Sequence, residues 1–341
     1  VTDCVTLAYL GGIFDGDGSF KITRKYRTPR IRHPYYANVL GLAQLWPREV
    51  VRVFASAFGS EVKPVRTTHG TLMARCELRT CRVEWATRRL LPFLLVKRRQ
   101  AMLFLEVPRV RPRRKGRTVP TETGQVKLEQ ITEALGRDQE GRGPARETCQ
   151  LCSPEMKGYE NINLAQRLWN PEGTLAYLAG IMDSDENFRI ERKRVPGMLS
   201  PSYRINMCCA QVDPSPAVEL LARTFGGQTR TVQEKKLKSR DLSTWSIYDR
   251  TAATAIERTL PFLQLKWIDA CLLLELRHLK SLGKNDLTEW VHRNRWQFLC
   301  KVRKRAYSAE QVRVFENVRQ RLLALHEGKR RAAATVPEAL G

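Results

Sequence analysis

Long apolar runs are what this sequence most clearly lacks. Stretches such as Leu90 to Val96 stop well short of the roughly 20 residues a bilayer-spanning helix needs, and no lipidation motif is present, so no membrane association is expected. Histidine is scarce, with five residues at 33, 69, 278, 292 and 326 that show no metal-ligand spacing. Cysteine lacks a rhythm: the nine residues at 4, 76, 81, 149, 152, 208, 209, 271 and 300 are odd in number, and no apolar secretory segment opens the sequence. That usage points to a reducing intracellular compartment rather than a disulfide framework. Cys149 and Cys152 have zinc-knuckle spacing, but a lone CxxC with no second pair nearby argues only weakly for structural zinc.

Acidic residues are in deficit as well. Lys and Arg number 59 against 35 Asp and Glu, a formal charge of +24 over 341 residues, which is far more than solubility requires. A polyanionic partner follows, and without membrane signals nucleic acid is the better reading. The 42% of apolar residues supply ample core, which excludes disorder throughout. The length exceeds one ordinary domain, so two similar domains or one large pseudo-symmetric one are expected.

What is present is a repeat. LAYLGGIFDGDGSF at residues 7–20 is answered by LAYLAGIMDSDENF at 175–188, an offset of 168 residues. Ala43-Gln44 recurs as Ala210-Gln211, and Leu91 to Lys97 (LPFLLVK) recurs as Leu260 to Lys266 (LPFLQLK), at nearly the same offset. Co-linear matches of this kind indicate a duplicated domain.

Each copy reads as a helix ending at the acidic cluster, a basic alternating hairpin, a helix (Pro47 to Phe58; Pro214 to Phe225) and a second hairpin. A closing helix and a longer apolar helix after each Lys complete it. The order α-β-β-α-β-β-α describes an α+β domain, an antiparallel sheet with helices on one face. Residues 1–107 and 170–283 form the two copies. Residues 108–169 read as a basic linker with one short helix near Lys127 to Leu135, and 284–341 as a basic extension with helical segments at Trp290 to Ala306 and Ser308 to His326.

The acidic repeat carries chemistry. Gly12 and Gly16 stand four apart on the first helix, as do Gly180 and Ser184 on the second, giving each a smooth stripe along which two backbones can approach. Packing on those stripes brings Asp17 and Asp185 together at helix C-termini. There each faces the negative dipole end and the other carboxylate, an arrangement a divalent cation reverses. Oxygen ligands favour Mg²⁺ over Zn²⁺. Asp15 and Asp183 fall on another face and read as helix-end hydrogen-bond acceptors.

Residues 10–18 (LGGIFDGDG) and 178–186 (LAGIMDSDE) resemble the LAGLIDADG motif, and the chain is similar to monomeric, two-repeat LAGLIDADG homing endonucleases over about residues 5–107 and 173–282. The resemblance implies two αββαββα domains about a pseudo-twofold axis, their antiparallel sheets forming a saddle over the major groove of double-stranded DNA. It also implies cleavage of both strands at a long target with short 3′ overhangs. Asp17 and Asp185 match its metal-binding acids, with the Gly16 and Ser184 carbonyls as further ligands to Mg²⁺, a site that Mn²⁺ or Ca²⁺ can also occupy. Gln44 and Gln211 match its water-ordering residues, and Lys97 and Lys266 its basic residues beside the nucleophile. The ninth motif position is Gly18 in one repeat and Glu186 in the other, which puts equal cutting of the two strands in doubt.

Strand alternation nominates residues that face DNA. These are Lys21, Thr23 and Lys25 in the first repeat and Arg189, Glu191, Lys193, Arg204 and Asn206 in the second, with Lys63, Arg66, Arg75 and Arg230 from the second hairpins. Their side chains suit base edges in the major groove, and the unlike polarity of the halves implies a non-palindromic target. Two rivals remain: an RNA-splicing maturase acting on intron RNA, alone or as a second activity, and a DNA-binding regulator without chemistry. Retention of Asp17 and Asp185 favours cleavage over both.

Overall fold

The computed structural model describes residues 3–25, 35–45, 49–79, 81–109, 113–114, 117–118, 122–139, 171–194, 201–233, 241–282, 307 and 309–334. The first repeat runs α1 (Cys4–Asp17), β1 (Gly18–Lys25), β2 (Tyr35–Leu45), α2 (Glu49–Ala57), β3 (Val62–Arg66), β4 (Leu72–Arg79), α3 (Cys81–Leu90) and α4 (Arg98–Arg109). A two-residue-per-strand hairpin, β5 (Arg113–Arg114) and β6 (Arg117–Thr118), and α5 (Glu122–Gln139) follow. The second repeat runs α6 (Pro171–Asp185), β7 (Glu186–Lys193), β8 (Ser202–Val212), α7 (Pro216–Phe225), β9 (Gln228–Gln233), β10 (Asp241–Tyr248), α8 (Asp249–Thr259) and α9 (Trp267–Leu282). The last described helix is α10 (Ala309–Ala334).

Each repeat builds an antiparallel four-stranded sheet, in the order β1-β2-β4-β3 and β7-β8-β10-β9. Period-two patterning gives each sheet one apolar face. Phe20, Leu40, Leu42, Cys76 and Leu78 are buried in the first sheet, and Phe188, Ile205, Met207, Trp245 and Ile247 in the second. Helices cover those faces. α2 presents Val50, Val51, Phe54 and Ala55, and α7, started by the Ser215 side chain and Pro216, presents Ala217, Val218, Leu221 and Phe225.

α1 is capped by Asp3, whose carboxylate accepts from the Thr6 amide at 2.7 Å. Beyond that turn every residue from Leu7 to Asp15 is buried, and Gly173 and Ala176 to Asp183 are equally buried in α6. A helix apolar on all sides belongs inside a core. α1 and α6 therefore lie against each other between the sheets.

α5 and α10 repeat one role. The helix expected over nine residues of the linker spans Glu122–Gln139 and packs on α4 and β1, burying Leu128, Ile131, Ala134 and Leu135. α10, expected to end at His326, extends to Ala334 and packs on α9 and β7, burying Phe315, Val318 and Leu322. Phe315 meets Tyr203 edge-on with centroids 5.7 Å apart. The helix expected at Trp290 to Ala306 and the Cys149–Cys152 pair lie outside the described residues. Among the described residues no helix is long and apolar enough to cross a membrane.

Candidate functional site

The two central helices touch backbone to backbone. A Cβ placed on Gly12 would strike the Tyr177 carbonyl oxygen and stand 3.1 Å from Gly180 Cα, and a Cβ on Gly180 would strike the Tyr9 carbonyl oxygen. Glycine is therefore a steric requirement at both positions. Further along, a Cβ on Gly16 would overlap the Ser184 side chain and come within 2.9 Å of Asp185 Oδ2. The small-residue stripes thus form the seam, and the seam delivers the Asp185 carboxylate to the end of α1.

At that end Asp17 and Asp185 interact electrostatically. Burial raises the Asp17 carboxyl above its ordinary pKa, and the Asp185 charge adds to the rise, against the lowering effects of the Gln44 hydrogen bond and the Lys97 and Lys266 charges. Gln44, buried on β2, donates from Nε2 to Asp17 Oδ2 at 2.6 Å. Gln211, at the matching place on β8, donates from Nε2 to Asp185 Oδ2 at 2.8 Å. Gln211 Oε1 accepts from the Ser215 hydroxyl at 2.7 Å, whereas Gln44 Oε1 is buried with no partner among the described residues. The glutamines fix the carboxylate rotamers.

Asp15 and Asp183 are buried hydrogen-bond acceptors at the helix ends, as their face suggested. Asp15 accepts the amides of Leu95, Val96 and Lys97 at 2.7, 3.1 and 2.8 Å, and Asp183 those of Gln264, Leu265 and Lys266 at 2.8, 3.1 and 2.8 Å. Each acid thereby pins the loop that follows the Leu-Pro-Phe turn and carries the lysine. Lys97 Nζ donates to the carbonyls of Phe14 and Gly16 at 2.9 and 2.7 Å, and Lys266 Nζ to that of Met182. A cation on the last carbonyls of a helix answers the negative end of its dipole. Burial lowers the Lys97 pKa, partly offset by Asp15, Asp185 and Asp17.

Among the described residues no group of three or more His, Cys, Asp or Glu side chains could hold a metal ion. What gathers at the seam is oxygen: the Asp17 and Asp185 carboxylates beside the carbonyl ends of α1 and α6. Asp17, its carboxyl raised by burial and by the neighbouring Asp185 charge, and Asp185 offer oxygen donors, which fit a hard divalent cation better than zinc.

Opposite strand partners share a face, so the registers define the outward surfaces. On the first sheet Lys21 lies opposite Val39, Thr23 opposite Ala37, and Lys63 opposite Arg75. Glu77 ties Arg75 at 2.5 Å and Arg79 at 2.7 Å on the same side. Lys25 pairs with Tyr35 at the strand end, its side chain outside the described set. Arg66 is a correction. It lies opposite the buried Leu72, on the other side of β3 from Lys63, and its Nη1 donates to the Gly70 carbonyl at 3.4 Å. The sequence of this short edge strand leaves its register open, so alternation could not fix the side on which Arg66 falls.

On the second sheet Arg189 lies opposite Asn206, Glu191 opposite Arg204, Lys193 opposite Ser202, and Arg230 opposite Thr244. Asn206 holds the expected face but not the expected exposure, being 5% exposed. Its Nδ2 donates to Glu191 Oε1 at 2.5 Å, and Glu191 Oε2 accepts from Arg204 Nε at 2.7 Å. The Arg204 guanidinium also lies 4.0 Å from the Tyr248 ring centroid. A network of neighbours covers Asn206, which alternation cannot foresee. Glu186 begins β7, its side chain outside the described set.

Sequence reasoning also passed over Ser215, Tyr248 and the pair Tyr9 and Tyr177. The tyrosines gave a signal, since one polar tip recurs at the same place in two otherwise apolar helices.

No family model matches this sequence, and no curated protein matches it. Solved structures do. The LAGLIDADG meganuclease I-CpaMI bound to uncleaved DNA matches with a TM-score of 0.59 at 14% identity, over 92% of this chain and 98% of that one. The I-LtrWI LAGLIDADG homing endonuclease bound to target DNA matches with 0.57 at 13% identity, over 93% and 97%. I-SmaMI, bound to its uncleaved DNA target in the presence of calcium ions, matches with 0.55 at 12% identity, over 92% and 97%. The shared property is the fold: this chain has the two-domain architecture of LAGLIDADG homing endonucleases, as the motif resemblance implied.

Proposed function

We propose that this protein is a site-specific DNA endonuclease that hydrolyses one phosphodiester in each strand of a long, non-palindromic duplex target and leaves short 3′ overhangs. The observation that carries the reading is the meeting of Asp17 and Asp185 on a glycine seam, each oriented by its own glutamine, between two sheets with charged outward faces. DNA bound by the proteins of the same fold supports the partner. One chain contains both acids, so a monomer is complete.

Asp17 and Asp185 would hold Mg²⁺, with the Gly16 and Ser184 carbonyls beside them. When bound, the cation supplies positive charge to the scissile phosphate and acidity to a water. The protein's own part is positional and electrostatic. Gln44 and Gln211 keep the carboxylate oxygens in place, and Lys97 and Lys266 hold positive charge beside the helix ends, where developing negative charge on phosphate would be stabilised. The outward strands bind DNA, some side chains touching phosphates and others base edges. A splicing role on intron RNA would not need the paired acids, so the geometry favours cleavage.

The test is cleavage of a randomised duplex library with Mg²⁺ by the native protein, Asp17→Asn and Asp185→Asn. The native protein should yield one family of ends that neither variant produces. If it yields no ends beyond those of the variants, binding without chemistry is the better description.

A further inference from the structure

Each half of the site leans on a tyrosine from the other half. The Tyr177 hydroxyl, on α6, donates to Asp15 Oδ2 at 2.8 Å, and the Tyr9 hydroxyl, on α1, donates to Asp183 Oδ2 at 2.8 Å. Both phenols are buried. Burial first, and the adjacent carboxylate second, raise their pKa values well above the ordinary one, so they stay neutral donors.

The oxygens they touch also hold the lysine loops. Asp15 Oδ2 accepts the Leu95 and Val96 amides as well as Tyr177, and Asp183 Oδ2 accepts those of Gln264 and Leu265 as well as Tyr9. The other oxygen of each acid takes the amide of the lysine itself. A run of hydrogen bonds therefore goes from a hydroxyl in one repeat, through a carboxylate and a loop, to an ammonium in the other. It occurs twice, in opposite directions.

We infer that Tyr177 and Tyr9 are crossed positioning residues: Tyr177 sets the placement of Lys97 in the first repeat, and Tyr9 that of Lys266 in the second, so that each strand cut depends on both repeats. The strand-cutting part rests on the endonuclease reading above. Removing one hydroxyl leaves a buried carboxylate short of a donor, and the loop it holds loses its fixed position. Small displacements of a charged group beside a reacting phosphate cost rate more than binding.

Phenylalanine keeps the ring in the core, so Tyr177→Phe and Tyr9→Phe are the informative variants. Lys97→Met and Lys266→Met first identify which strand each lysine serves, on a duplex labelled on both strands. Tyr177→Phe should then slow the Lys97-dependent strand about tenfold, with the other strand and the Kd for DNA nearly unchanged, and Tyr9→Phe should do the reverse. Equal slowing of both strands, slowing of the strand served by the same repeat's lysine, or lysine variants that do not divide the strands would each overturn the inference.

Amide hydrogen exchange on the free protein tests the same link without DNA or metal. In Tyr177→Phe the amides of residues 95–97 should lose protection while those of 264–266 keep it, with the converse in Tyr9→Phe. A symmetric or uncrossed loss overturns the crossed support. A protein that cuts no duplex yet shows the crossed exchange pattern would refute the endonuclease reading and the strand assignment, leaving the positional link standing.

Discussion

At the seam the two repeats are near copies, and a few residues further along the same strands they part. Gln44 and Gln211 hold Asp17 and Asp185 in the same way, and Asp15 and Asp183 pin the same loop at distances that agree within 0.1 Å. The outward faces differ. β2 places Ala37, Val39 and Gly41 where β8 places Arg204, Asn206 and Cys208, and Glu191 organises an ion-pair network for which the first sheet substitutes Glu77 between Arg75 and Arg79. Under the proposed cleavage function, chemistry demands fixed distances on both sides of one centre, whereas recognition demands only that each surface suit its own half of the partner. Duplication therefore stayed close to symmetric where the halves share a task and diverged where they do not.

The largest effects should fall on the shared part. Asp17→Asn and Asp185→Asn should each reduce double-strand cleavage by about 10²–10³-fold, and by similar amounts, in single-turnover assays. A much milder loss in one of them would break the symmetry argued here. Next, Gly12→Ala and Gly180→Ala should each destabilise the whole molecule by about 1–3 kcal/mol, because the added methyl meets backbone with no room to move. Denaturant midpoints check this, and a midpoint unchanged by either substitution would contradict the tight crossing.

Smaller and one-sided effects should come from the faces. Arg204→Ala should relax sequence preference in one half of the target by about 1–3 kcal/mol at the base it reads, leaving the other half untouched, and Glu191→Gln should do so more weakly by loosening Arg204. Target-site profiling with each variant decides it, and relaxation in both halves would count against independent surfaces. Arg66→Ala, by contrast, should leave the profile alone.

The smallest effect concerns α10. Burial would raise the Glu316 carboxyl, but hydrogen bonds from Tyr203, Gln320 and Arg319 outweigh it and hold its pKa below the ordinary value. A lowered native pKa contributes stability at neutral pH that is lost as pH falls below the ordinary glutamate value and through the native one. Proteolysis of α10 should thus accelerate on acidification by less in Glu316→Gln than in the native protein. An identical acid response in the two would show that this carboxylate does not anchor the helix.

Much of this was legible from residues alone, for physical reasons that also set the limit. Gly12 and Gly180 could be read because helical glycine is unfavourable unless something packs against it, and Asp17 and Asp185 followed by geometry. Asp15 and Asp183 were separable from them by helical face. Alternation puts Arg189, Glu191, Arg204 and Asn206 on one side of the sheet, as the register does, but it assigns a side and not an exposure, so the burial of Asn206 by its neighbours was not foreseen. Arg66 failed on register, which short edge strands leave loosely specified. α5 and α10 ran longer than expected because helix ends depend on tertiary contacts that a local pattern does not contain.

The bare crossing at Gly12 and Gly180 also bears on how such a molecule can change over generations. At Gly12 and Gly180 main chain meets main chain, and the side chains that reach across the joint, Tyr9 and Tyr177, are the same in both halves. Substitutions that remodel one sheet face impose no compensating demand across the joint. Halves that keep the same glycine crossing and the same tyrosine are, in effect, interchangeable parts, and a molecule of this kind can be remodelled one half at a time.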